Sequence, residues 1–363
     1  VSNESTVRVS TLELFFDLVF VFTVTQLTAV LASDLTPQNV GKSLLMLGII
    51  FWMYGGYAWL TNVIAPRDPV RRTMLLAGMA GFLLIALAIP AAFQGSGWAF
   101  GVGFFLVNAI HSGLLLKAAP AAMRQLAPLN LLSASLVLAG GLVASEPWRL
   151  GLWIAAMIVI IASPYLHPMG EWALNAGHFV ERHGLIVIVA LGESIVAIGV
   201  GAAGLDLTAA LITAAVLGLV LSFGLWWLYF GGDDEAAEQA LEATPSRQRG
   251  RVALHAFGFA HYPLLFGIVV FAAGVKKAVH YSEDHVYLSQ ALLLGGGVAI
   301  YLLADVWFRR VLRIGELRFR VLGALAALAT VPLGLKFTIW QMVALVVVVA
   351  SVIALERKAL RSI

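Results

Sequence analysis

The chain has 363 residues, of which 61% are hydrophobic and 12% charged, with a net charge of +3 and a mean hydropathy of +0.92. Soluble domains carry about 25% charged residues, so this much apolar surface excludes a soluble fold and predicts an all-α polytopic membrane protein. The absence of cysteine excludes disulfides, thiolate metal sites, iron–sulfur clusters and cysteine nucleophiles, and the small net charge gives no sign of a nucleic-acid partner.

Crossing the hydrocarbon core takes ~20 apolar residues. Twelve segments qualify, at 11–33, 43–65, 73–93, 97–117, 125–145, 148–166, 183–204, 207–231, 252–275, 287–308, 319–335 and 338–356. No signal-like stretch with a cleavage site stands ahead of the first, and the sequence opens on Val1 rather than Met, as a trimmed start would. The thinnest divisions are Gln94-Gly95-Ser96, between the third and fourth spans, and the neighbourhood of Lys336, between the last two. An even count puts both termini on one side, and that side then carries 18 of the 23 Lys and Arg residues. Basic residues gather in cytoplasmic loops, so both termini are expected in the cytoplasm.

In chain order, the first span carries Glu13 and Asp17, four residues apart and therefore on one helix face. Thr28 lies about three turns beyond Asp17 on nearly the same face. A polar stripe of this kind belongs in a bundle interior, because lipid cannot satisfy it. Asp17 serves either a function or a structural salt bridge to Arg8, Arg182 or Arg251. The second span is aromatic at Phe51-Trp52-Met53-Tyr54, and in the fourth His111 follows Asn108 at helical spacing.

The stretch His178–Gly201, HFVERHGLIVIVALGESIVAIGVG, holds Glu193 near the middle of the seventh span. An ionised carboxylate at bilayer depth costs at least ~2.5–3.5 kcal/mol. Glu193 is therefore expected to meet a partner, a proton, an ion or a ligand, or else to be a protonated, hydrogen-bonded packing residue. Gly192, Ser194, Gly199 and Gly201 give it a small-residue surface that admits a neighbouring helix.

The eighth span ends in Trp226-Trp227-Leu228-Tyr229-Phe230. The following loop, Gly231 to Arg251, opens acidic with Asp233, Asp234, Glu235 and Glu238, then turns basic; its Ala-rich pattern predicts a short surface helix in a solvated connector. In the ninth span His255 and His261 are six residues apart, on different faces, which excludes a shared metal, and His261-Tyr262-Pro263 predicts a kinked polar point. In the tenth, Asp305 is expected to pair with Arg309 and Arg310. There is no mid-membrane lysine for a retinal Schiff base, no phosphate loop, no H-E-x-x-H and no TVGYG filter, and no cofactor is expected.

Leu18–Leu31 and Leu185–Ile198 share an apolar rhythm that sets Gln26 opposite Glu193, and an aromatic-rich span follows each. The pattern predicts two parallel six-helix repeats, residues 1–177 and 178–363.

Three stretches, ELFFDLVFVFTVTQL (Glu13–Leu27), ERHGLIVIVALGESIVAIG (Glu181–Gly199) and HYPLLFGIVV (His261–Val270), resemble the bacterial low-temperature-requirement A (LtrA) family. The resemblance covers nearly the whole chain and implies a multi-pass protein of the bacterial cytoplasmic (inner) membrane. It also implies weight for Glu13, Asp17, His183, Glu193 and His261, which fall in the motifs. A second likeness is to endolysosomal potassium channels with an F-S-D motif in the first helix of each six-span repeat. Here Phe16 stands where that motif has Ser, and Gly184-Leu185 stands where its second copy would fall.

The leading expectation is a membrane transporter or permeation protein with an intramembrane carboxylate relay for protons or a cation. Glu193 would be the ion site, Asp17, His261, Glu13 and His183 the other relay groups, and Trp52, Tyr54, His111, Ser194, Trp226 and Trp227 the cavity lining. One alternative is an integral membrane enzyme acting on a lipid or isoprenoid, with Glu193 or Asp17 as general acid. Another is a structural or sensory protein in which the polar residues only lock helices. Membrane lipid, an unidentified small molecule or ion, and a second copy of the chain are the expected partners.

Overall fold

A computed structural model describes residues 9–63, 68–118, 120–166, 174–281 and 288–361. Arg8, Arg67 and the end of the expected second span lie outside the described residues. The described chain is helical: α1 Thr11–Ser33, α2 Pro37–Val63, α3 Pro69–Ala88, α4 Gly97–Ala118, α5 Pro120–Leu142, α6 Glu146–Leu166, α7 Ala176–Ala202 and α8 Ala209–Phe230. Two short helices follow, α9 Asp233–Ala243 and α10 Ser246–Ala253, then a π-helical segment Leu254–Ala260 that runs into α11 His261–His280. The chain continues as α12 Leu288–Leu312, α13 Arg318–Ala329, α14 Val331–Gly334 and α15 Thr338–Arg361.

Eleven helical segments of the described residues are long and apolar enough to cross a membrane. The expected twelfth, 319–335, is the exception, because it divides into α13 and α14 at Thr330, two residues ahead of Pro332. Proline has no N–H to continue the ladder. The 12 residues of α13 rise only ~18 Å, short of the ~30 Å hydrocarbon core. Apolar composition is present there, and an unbroken helix is not.

Local chemistry sets the other boundaries. Asp68 caps α3 by accepting from the Arg71 N–H at 2.9 Å, with Pro69 in the first helical position. The helix runs out in a tight turn at Ile89–Ala91, so Gln94-Gly95-Ser96 does divide two spans. Asn175 caps α7, its Oδ1 accepting from the His178 N–H at 3.0 Å, which starts this helix at Ala176 rather than at 183. At the place expected for a kink in the ninth span, a π-helical segment stands just before His261.

The chain forms two compact units, one comprising Val1–Val30, Pro37–Leu185 and Thr244–Arg251, the other Leu31–Thr36, Ile186–Ala243 and Val252–Ile363. In the first, α3 packs on α4, α4 on α5 and α5 on α6, and α2 lies against α4 and α6. In the second, α11 and α12 form the most extensive pairing, α12 also packs on α13, and α8 packs on α15. The α11–α12 backbones touch: a Cβ on Gly297 would stand 2.4 Å from the Phe271 nitrogen, and one on Gly267 would stand 2.6 Å from the Tyr301 nitrogen. Small residues at a helix crossing allow this approach, which dispersion alone then stabilises.

Candidate functional site

Each unit buries a cluster of charges. In the first, Ser10 and Glu13 form a capping box that opens α1. The Ser10 N–H and hydroxyl both donate to Glu13 Oε2, at 2.8 and 2.7 Å, and the Glu13 N–H reaches the Ser10 hydroxyl at 3.4 Å. One turn on, Asp17 shares the face of Glu13, as their spacing requires. His178 and Arg182, also four apart, present the matching face of α7. The Arg182 guanidinium donates to Asp17 Oδ2 at 2.8 Å and to the Glu13 carbonyl at 2.9 Å. Tyr54 of α2 donates its hydroxyl to Asp17 Oδ1 at 3.0 Å, and its ring lies under the guanidinium, 5.6 Å from centroid to carbon.

His178 Nε2 stands 3.3 Å from Glu13 Oε1, and Asn62 approaches the other ring nitrogen at 3.3 Å. Glu13, Asp17, His178 and Arg182 are each at most 3% exposed. Two carboxylates therefore face one guanidinium, and a protonated His178 would bring the group to neutrality. Glu13 Oε1 and Arg182 Nε lie 3.9 Å apart, and among the described residues neither makes a hydrogen bond. His178 Nε2, 3.3 Å away, is the donor that faces this oxygen, since the Asn62 amide nitrogen donates to Nδ1 and leaves the ring hydrogen on Nε2.

The second unit buries Asp305, Arg309 and Arg320, with Asp233 and Glu356 at the edge of the group. Arg309 donates to both Asp233 oxygens at 2.7 and 2.8 Å and to Glu356 at 2.8 Å. Arg320 bonds Asp305 and Glu356 and donates to the Leu228 carbonyl at 2.7 Å. This corrects two expectations. Asp305 pairs with Arg309 and Arg320, while Arg310 is exposed. The acidic connector does hold a short helix, α9, but Asp233 at its start is 8% exposed and tied to Arg309 rather than solvated.

Glu193 is 2% exposed on α7, away from both helix ends. Beside it the Ser194 hydroxyl bonds the Ser222 hydroxyl of α8 at 2.7 Å. His261 is fully buried, with Nδ1 2.9 Å from the Ala256 carbonyl and Nε2 2.8 Å from the Tyr229 hydroxyl. A carbonyl only accepts, so Nδ1 carries a hydrogen, and in the neutral ring Nε2 accepts from Tyr229. The His183 Nδ1 lies 2.8 Å from the Phe179 carbonyl one turn back, and His111 Nε2 lies 3.1 Å from the Gly56 carbonyl. Trp226 stacks on Phe223 and Phe230, Trp227 lines a groove against α15, and Trp52 is half-buried on α2.

Of the expected site residues, the first unit thus joins Glu13, Asp17 and Tyr54 in one cluster, with His111 elsewhere. His178 was not singled out in the sequence, nor were Asn62, Arg320 and Glu356. Two signals pointed to the first cluster: Ser10-x-x-Glu13 is a capping box, and Asn175 precedes His178 at cap spacing.

The Bacterial low temperature requirement A protein (LtrA) family model matches residues 8–355. A curated relative, Uncharacterized protein RA0937 of Rhizobium meliloti (strain 1021), is 27% identical over 326 residues, covering 85% of this chain and 79% of that protein. With a family match running from the capping box of α1 to the last turns of α15, this multi-pass membrane protein belongs to the bacterial LtrA family.

Proposed function

We propose that the chain is a transporter or permeation protein for protons or a cation, set in the bacterial cytoplasmic membrane. Its protonatable centre in the first unit is Glu13, Asp17, His178 and Arg182. Glu193 is the intramembrane carboxylate of the second. The observation that carries this reading is the close burial of two carboxylates, an imidazole and a single guanidinium, a group with one more acid than arginine in which His178 Nε2 stands 3.3 Å from Glu13 Oε1. Asn62 Nδ2 donates to His178 Nδ1, so the neutral ring carries its hydrogen on Nε2 toward Glu13, and His178 is the side chain of the group that can face that acid in either charge state. His261, bonded to the Tyr229 hydroxyl and the Ala256 carbonyl at the π-helical turn, is a further relay group of the second unit.

The test is flux. Protein reconstituted into vesicles with a trapped pH-sensitive dye, under an imposed proton or potassium gradient, is expected to dissipate that gradient. Asp17→Asn and Glu193→Gln, each checked to be folded at the assay temperature, are expected to abolish the movement. Full flux in both variants would refute the reading.

A further inference from the structure

We propose that the groove between α8 and α15 is a binding site for one anionic glycerophospholipid. The groove encloses about 620 Å³ and lies wholly within the second unit. One wall is aromatic, with Phe223 and Trp227 one turn apart on α8 and their rings 5.7 Å apart. The other wall is a trough of small residues, Ala350 and Ala354, on the exposed side of α15. Gly224 sets the floor, since a Cβ there would stand 2.6 Å from Val349 Cγ1, and the two helices meet at that point. Phe223 is 55% exposed, so this is a large apolar surface without a cover from its own chain.

The groove ends in charge. Arg357, Lys358 and Arg361 line its far end, and all three are exposed. Among the described residues none of them has a carboxylate within ion-pair distance. Glu356, their neighbour on the same turn, is committed to Arg309 and Arg320. The Arg357 guanidinium lies 4.6 Å over the Trp227 ring, which holds one cation at the mouth of the apolar trough. Along α15 the apolar trough from Ala350 to Ala354 rises ~6 Å, and the charged end begins at Arg357, about one turn further on. An occupant must therefore present an apolar segment to the trough and an anionic head to the end marked by Trp227 and three cations. Aromatic and basic residues take these positions where a helix meets a headgroup layer. A membrane supplies such a molecule as an acidic phospholipid. The inference stands independently of the transport reading, because none of its residues belongs to either charge cluster.

Native mass spectrometry of the detergent-solubilised chain, titrated with phosphatidylglycerol or phosphatidylcholine, tests it. The parent chain is expected to retain phosphatidylglycerol roughly tenfold or more tightly than phosphatidylcholine. Arg357→Ala/Lys358→Ala/Arg361→Ala should bring the two lipids level. Ala350→Trp fills the trough without changing the charge and should weaken both. Equal retention of the two lipids by the parent chain, or undiminished phosphatidylglycerol on the triple variant, would overturn the proposal. So would displacement by glycerol 3-phosphate at concentrations matching the lipid, since the acyl chain would then contribute nothing. A dimer that Ala350→Trp splits, with its lipid adducts unchanged, would assign the groove to a second copy instead.

Discussion

The two buried charge clusters have the same excess, one more carboxylate than arginine, and resolve it in different ways. In the second unit, Arg309 and Arg320 each fork onto several acids, and Asp233 and Glu356 sit at the edge of the group. Its elements, α9, α12, α13 and α15, are far apart in sequence, and the arginines draw them together. In the first unit, one arginine meets two acids that are both at most 3% exposed, and an imidazole stands beside the less satisfied of them. Each cluster leaves one buried carboxylate oxygen without a hydrogen bond, Glu13 Oε1 in the first and Asp305 Oδ1 in the second, so the contrast lies in the partners: the second answers its acids with arginines alone, and the first adds an imidazole.

That contrast can be broken most forcefully at Arg320. Arg320→Met leaves Asp305 buried with only Arg309 nearby, and breaking a buried pair in this way costs about 3–5 kcal/mol. A large fall in melting temperature of the solubilised chain is the expected outcome. Adding Asp305→Leu should restore most of it, because a matched apolar pair replaces a buried ion pair at little net cost. Asp17→Asn should behave otherwise. It keeps the size of the side chain and a hydrogen-bonding oxygen, so the expected loss is about 1–2 kcal/mol, with flux abolished. If Asp17→Asn melts as low as Arg320→Met, the first cluster is a brace as well. Tyr54→Phe removes the hydroxyl that reaches Asp17 and the Arg182 carbonyl, at about 0.5–1.5 kcal/mol. Ser194→Ala breaks the bond to Ser222 and should cost the least, about 0.5 kcal/mol on the scale of interhelical hydrogen bonds in membranes.

Much of the fold was legible because membrane helices declare themselves by composition. The first span is 11–33 in both readings, and Pro69, Pro120 and Pro37 mark helix starts where a missing N–H costs nothing. The 319–335 segment misled because hydropathy does not register a break at Thr330 and Pro332. Basic residues misled in another way. Arg182, Arg309 and Arg320 count as loop charges in the topology tally, yet each is at most 4% exposed and held by acids. Arg149 is buried too, with its guanidinium donating to the carbonyls of Ala92, Gln94, Gly140 and Val143. Leaving out these four, the twelve-span tally is 15 against 4, and without the 319–335 crossing Lys336 and the C-terminal Arg357, Lys358 and Arg361 change sides in it. The candidate site was half legible. Glu13 and Asp17 share a face by spacing alone, and Arg182 was among the partners foreseen for Asp17. The place of His178 depends on α7 starting at its Asn175 cap, ahead of the apolar run, and no hydropathy pattern reports that.

The most direct measurement is ion flux through proteoliposomes carrying His178→Gln, compared with the parent chain at equal melting temperature and equal protein density. The expected result is a flux reduced to that of empty vesicles, because the side chain that completes the cluster with a proton is gone while the fold remains. Parental flux from a well-folded His178→Gln chain would contradict the assignment of that cluster as the working site.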